Sequence, residues 1–180
     1  MRKLKTEELC RISVEEFKKS EKLPLVIVLD NIRSLNNIGS IFRTADAFRV
    51  KEIHLCGITA CPPHREIHKT ALGASESVEW KYFNTTLESV ALLKKEGFKI
   101  VTLEQAEDST LLHNFQTIKN EKYALILGNE VKGVDDIIIE KSDFCVEIPQ
   151  FGTKHSFNVT VSAGIAMYFM SLRLNYLALK

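Results

Sequence analysis

Leu25-Val26-Ile27-Val28-Leu29-Asp30 is five consecutive aliphatic residues closed by an acid, and its reading decides the fold. An unbroken apolar run suits a strand covered on both faces, as in parallel sheets, rather than a half-exposed alternating strand. The residues after it change period: Ile38, Ile41, Phe42, Ala45 and Phe48 recur at helical spacing. The alternation then continues. Residues 52–58 (EIHLCGI) and 78–83 (VEWKYF) read as strands, and Leu87–Gly97 as a helix stopped by its glycine. Residues 99–104 (KIVTLE), 123–129 (YALILGN) and 144–150 (FCVEIPQ) read as further strands. Between the last two, 134–142 (VDDIIIEKS) predicts a short helix, with acids at its start and Lys141 near its end. A closing helix is predicted from about Ser156 to Leu179. Upstream, Leu9, Ile12 and Phe17 predict a helix over 6–20, making 1–22 a helical extension ahead of a domain at 23–180. Strands alternating with helices define an α/β protein, a mainly parallel sheet flanked by helices. In such sheets ligands bind in loops beyond the carboxyl ends of the strands.

The 180 residues, 45% hydrophobic and 26% charged, are enough for one well-packed domain and too apolar for disorder. A formal net charge of +1 excludes a strongly basic nucleic-acid coat but leaves room for a local patch. Arg33, Arg43, Arg49, Lys51, Arg65 and Lys69 stand against only Asp46, Glu52 and Glu66 in that stretch. The amino terminus interleaves acids and bases, unlike a signal peptide, and charges interrupt every apolar stretch short of the ~20 residues of a membrane span. A cytoplasmic protein without a membrane segment is the expectation. Cys10, Cys56, Cys61 and Cys145 are too irregularly spaced for a disulfide scaffold. Cys56, Cys61, His64 and His68 read C-x4-C-x2-H-x3-H, but zinc sites use a tighter first pair, and Pro62 and Pro63 interrupt this one. No metal is expected.

Three loops carry the candidate chemistry. The first, 30–43 (DNIRSLNNIGSIFR), places Asn and Ser before an apolar periodic run, which is helix-capping chemistry and also a setting for anions. Arg43 lies six residues after Asn37, close enough to two turns for both to approach one side. The second, 127–134 (LGNEVKGV), has Gly128 and Gly133 where the backbone must bend or a ligand must come close, with Asn129 and Glu130 between them. Its spacing matches neither a dinucleotide-binding fingerprint nor a Walker A loop. The third joins Ile148-Pro149-Gln150-Phe151-Gly152 to Ser156-Phe157-Asn158, with Ser156 suited to cap the last helix.

NNIGSIFRTADAF, LILGNEVKGV and IPQFGTKHSFNVTVSAGIAMY, in this order, resemble motifs 1, 2 and 3 of the SpoU/TrmH branch of the SPOUT RNA methyltransferases. PPHREIHKTALGA, between the first two, also resembles that branch, and the likeness runs from about Leu25 to Tyr168. Gln150 stands where the family commonly has Met, and Phe157 where it commonly has Leu. The resemblance implies an α/β fold with a C-terminal deep trefoil knot, a topology that composition and periodicity do not reach. It also implies S-adenosylmethionine as cofactor, held by Leu103, Gly128, Asn129, Ile148 and Phe157, and methyl transfer to a ribose 2′-hydroxyl of RNA.

On the same ground the catalytic set is Arg43 at the reacting hydroxyl, with Asn37, Glu130, Ser156 and Asn158 arranging it and the nucleotide. A guanidinium is a permanent cation, so two roles stand open for Arg43. One is activation of the hydroxyl; the other is stabilisation of the alkoxide and the neighbouring phosphate. A homodimer is implied too, with Ile165, Tyr168, Phe169 and Leu172 serving either an interface or a core. Only about 24 residues precede the first strand, which favours tRNA over rRNA as the substrate. The alternatives are an rRNA 2′-O-methyltransferase and a non-catalytic RNA-binding pseudoenzyme on the same fold. Retention of all five catalytic-set residues speaks against the pseudoenzyme. Base methylation, as in other SPOUT branches, is a third reading, and the Asn-to-Arg first motif speaks for ribose.

Overall fold

A computed structural model describes residues 1–174. Leu23–Asp30 (β1) sits inside a seven-stranded sheet, flanked by Val50–Cys56 (β2) and Lys122–Leu127 (β6). The others are Glu79–Phe83 (β3), Phe98–Leu103 (β4), Thr110–Leu111 (β5) and Phe144–Glu147 (β7). Their order is β3-β2-β1-β6-β4-β7-β5, and every pairing is parallel.

The unbroken apolar run in β1 is explained by a core on each face. Leu25, Ile27 and Leu29 join one core with Leu35–Ala47 (α2), Arg65–Ala71 (α3) and Val159–Arg173 (α7). Val26 and Val28 join the other, with Thr86–Lys95 (α5) and Asp136–Lys141 (α6). Each such buried aliphatic side chain contributes roughly 1.5–3 kcal/mol, so the sheet centre is a rigid base for the loops at its carboxyl edge. Gly39 lets α2 approach α3 closely: a Cβ there would overlap the Ile67 carbonyl oxygen and the Thr70 hydroxyl.

The expected helix over 6–20 is broken. Thr6–Leu9 forms a 3-10 turn, Cys10 is left-handed, and the α-helix is only Val14–Lys19 (α1). Ser13 and Glu16 form a reciprocal capping box that starts the helix there. Leu9 and Ile12 remain exposed while Phe17 is buried, so among the described residues no buried apolar face supports a longer helix. The closing helix begins after Asn158, not at Ser156, because the Asn158 carboxamide oxygen accepts from the Thr160 N–H at 2.9 Å. The part of that expected helix at 175–179 lies outside the described residues. Strands end earlier than expected at 127 and 147, where the chain turns into the loops described next. The short helices α3 and Ala74–Ser77 (α4), and the two-residue β5, have no counterpart in the sequence reading. Among the described residues, no helix is long and apolar enough to cross a membrane.

Candidate active site

Strands β4, β6 and β7 end side by side, at Leu103, Leu127 and Glu147, around a cleft of about 560 Å³. Leu103, Gly128, Asn129, Glu130, Ile148, Ser156, Phe157 and Asn158 all line it. Gln150 does so as well. Residues up to 55 positions apart in the chain therefore meet at one place.

Glu130 ties the second loop to the first. Its carboxylate accepts from the backbone N–H groups of Arg33 and Ser34 and from the Asn37 amide, each at 3.0 Å. Asn129 adds a bond from its side-chain amide to the Asn31 carbonyl at 2.7 Å. Burial pushes the Glu130 pKa upward, but the N–H groups of Arg33, Glu130 itself and Ser34, with the Asn37 amide, outweigh it. The carboxylate is thus held below its ordinary range. A lowered folded-state pKa contributes stability that is present above the unfolded value and lost as pH falls through the folded one. The Glu130→Gln variant should melt below the wild type at about pH 7, and that gap should close in acid below the ordinary glutamate range. A gap that persists unchanged in acid would mean the charged latch is not its source.

The two glycines of the second loop serve the loop itself. A Cβ at Gly128 would collide with the backbone of Gly133 and Val134, and one at Gly133 with the Glu104 carboxylate. Gly133 also has φ +71°, and it exchanges backbone hydrogen bonds with Asn129 at 3.0 and 2.9 Å. Close chain packing, rather than close ligand approach, explains both.

Asn37 and Arg43 do not share one side of α2. Six residues carry Arg43 about 9 Å along the helix and about 120° round from Asn37. Arg43 is exposed and outside the cleft lining, whereas Asn37 is held at its edge through Glu130.

Glu104 and Gln105 escaped the sequence reading, which placed Glu104 as the last residue of a strand. Glu104 accepts from the Val134 N–H at 3.0 Å and from the Gln105 N–H at 2.9 Å. Gln105 donates its side-chain amide to the His155 carbonyl at 2.8 Å. This pair clamps the second and third loops to the end of β4. The available signal was position alone, a polar pair just beyond a buried parallel strand. Lys132, Glu147 and His155 also line the cleft without having been singled out.

Cys56 is buried in β2, its thiol pushed up to about 12 chiefly by burial, with Cys61 half-buried. Among the described residues, no three His, Cys, Asp or Glu side chains are grouped to hold a metal ion.

A family model described as the SpoU rRNA Methylase family matches residues 24–168. The chain belongs to the SpoU methylase family. Among curated relatives, this SpoU chain is 35% identical over 165 residues to an uncharacterized tRNA/rRNA methyltransferase of Borreliella burgdorferi, covering 91% of this chain and 70% of that protein. It is 32% identical over 145 residues to the 23S rRNA (guanosine-2′-O-)-methyltransferase RlmB of Neisseria meningitidis serogroup B, covering 80% of this chain and 56% of that protein. Among solved structures, the A. aeolicus TrmH/SpoU tRNA modifying enzyme superimposes with a TM-score of 0.79 at 22% identity, covering 92% and 84% of the two chains. The AdoMet-bound rRNA methyltransferase from Sinorhizobium meliloti gives 0.79 at 24% identity, covering 88% and 60%. The SpoU fold is thus shared over nearly the whole chain.

Proposed function

We propose that this SpoU methylase transfers a methyl group from S-adenosylmethionine to a ribose 2′-oxygen of a structured RNA, with tRNA ahead of rRNA, as a homodimer. The observation that supports this most is the convergence of the second and third motif loops on one cleft, with Glu130 tying the first loop to its edge.

The cleft suits the cofactor chemically. Leu103, Leu127, Ile148 and Phe157 offer apolar walls for an adenine ring, and the strand ends offer main-chain groups to its polar edge. Glu104 and Glu147 supply acceptors for a cationic group, while Lys132 and His155 supply donors for a carboxylate. When bound, S-adenosylmethionine provides a methyl group made electrophilic by the adjoining sulfonium.

The ribose oxygen must lose its proton as it attacks. Arg43, although outside the cleft lining, is assigned to that oxygen on the family resemblance, where a permanent cation would stabilise developing negative charge and bind the neighbouring phosphate. Asn37, fixed by Glu130, and Asn158, fixed at the start of α7, are assigned to orienting the nucleotide. Ser156 beside them serves the same end. The insertion of β6 and β7 on either side of β4 supports the knotted C-terminal path that the family resemblance implies.

For the homodimer, the support is the outer side of α7. Val161, Ile165, Tyr168 and Leu172 are exposed at helical spacing, whereas Phe169 packs on the core. Purified protein supplied with labelled S-adenosylmethionine and tRNA or rRNA should yield labelled 2′-O-methylnucleosides after digestion, and should scatter light as a dimer. Label confined to bases, or absent from both RNAs, would overturn the reaction; a monomer at working concentration would overturn the dimer.

A further inference from the structure

A second cavity, of about 500 Å³, lies between α3 and the edge strand β3. Its walls are flat and apolar: the half-buried Trp80 indole, Pro62, Pro63 and Ile67. At its rim stand three exposed donor side chains, His64, Arg65 and His68, with Lys69 beside them. Glu76 adds a carboxylate acceptor to the lining.

This combination fits a nucleobase carrying a phosphate. An indole and proline rings stack on any base, a guanidinium neutralises the phosphate, and a carboxylate accepts from base N–H groups. Duplex bases do not present their faces, so the occupant would be an unpaired base. The cavity sits at β3, four strands from β4, or roughly 19 Å across the sheet from the cleft at about 4.8 Å per strand.

The two sites are mechanically joined. In the loop that leads to Pro62, the Ile58 N–H donates to the Asn31 side chain at 3.2 Å, and Thr59 accepts from the Ile32 N–H at 3.0 Å. Asn31 and Ile32 open the same loop that Glu130 and Asn129 fasten to the cleft. The α3 helix, whose Ile67 forms a cavity wall, packs on α2, which carries Asn37 and Arg43. A base held here would therefore sit at a fixed offset from the reacting ribose.

We propose that this cavity captures one unpaired nucleobase of the substrate RNA and so helps select which nucleotide reaches the cleft; this rests on the RNA-methylation reading above. Trp80 is the sole tryptophan of the chain, so its emission reports the cavity directly. The full chain is titrated with unfractionated tRNA, total rRNA, guanosine and uridine 5′-monophosphates, and heparin, with filter retention measured in parallel. The RNA that is methylated, and at least one mononucleotide, should quench Trp80; heparin should not. Arg65→Ala and His68→Ala, both at exposed positions, should weaken RNA binding by roughly tenfold. The KM for RNA should rise, while kcat and the KM for S-adenosylmethionine stay unchanged.

RNA that binds and is methylated while Trp80 emission and both variants' KM values stay unmoved would overturn the cavity's role alone. Quenching by heparin as strong as by RNA would reduce the site to charge attraction and overturn base capture. RNA that neither binds nor accepts methyl groups would overturn this proposal and the parent reading together.

Discussion

Replacing Arg43 with alanine should cut methyl transfer to RNA by about 10³-fold while leaving S-adenosylmethionine binding within about twofold. The separation of effects follows from position. Arg43 is exposed on α2, outside the lining of the cleft proposed for the cofactor. Its removal takes away no wall of that cleft and opens no cavity in the core. What disappears is a cation assigned to the attacking oxygen, a contact that matters most when charge develops there. Arg43→Lys keeps the charge but loses the planar fork, so it should recover only part of the rate. Calorimetry with S-adenosylmethionine and single-turnover methyl transfer check the two halves separately. Equal losses in both would place Arg43 in cofactor binding and remove it from the reaction.

Gly128→Ala should produce the opposite pattern, a loss of S-adenosylmethionine affinity of about 10²-fold, with the catalytic rate falling alongside it. A methyl group at this position overlaps the backbone of Gly133 and Val134, which have no flexible side-chain end to move aside. The turn from Asn129 to Gly133 must then open, straining the Val134 bond to Glu104 and the Glu130 bonds to the first loop. Because the sheet below is packed on both faces, the melting temperature should fall much less than the affinity. Unchanged calorimetric affinity in the folded variant would show that this turn does not shape the cofactor cleft.

The fold was largely legible because hydrophobic period is a local property. The β1 run, the α2 spacing and Gly97 each report on their own neighbourhood, and each lies where the sequence places it. The helix over 6–20 failed for a non-local reason. Its spacing was helical, but Leu9 and Ile12 stay exposed, and the Ser13 capping box starts the helix later. The short α3 and α4 were missed because their helices are held by packing on α2, and propensity contributes little over so few residues.

The candidate site divides in the same way. The order of three motif loops, and the polar residues within them, are properties of the chain written in one dimension. Which of those residues touch is decided by the strand order: β6 inserts beside β4, and the ends of β4, β6 and β7 become neighbours. Only then does Glu130 face the N–H groups of Arg33 and Ser34, nearly a hundred residues earlier, and Glu104 and Gln105 become a clamp. The sequence by itself determined the α/β class, the family and which polar side chains stand as candidates, because local period and motif order suffice for those. The tertiary structure alone decided that Asn37 is latched at the cleft's edge, that Arg43 stands outside it, and that a second cavity lies beside Trp80. Such placements depend on contacts between distant segments, whose geometry no local pattern encodes.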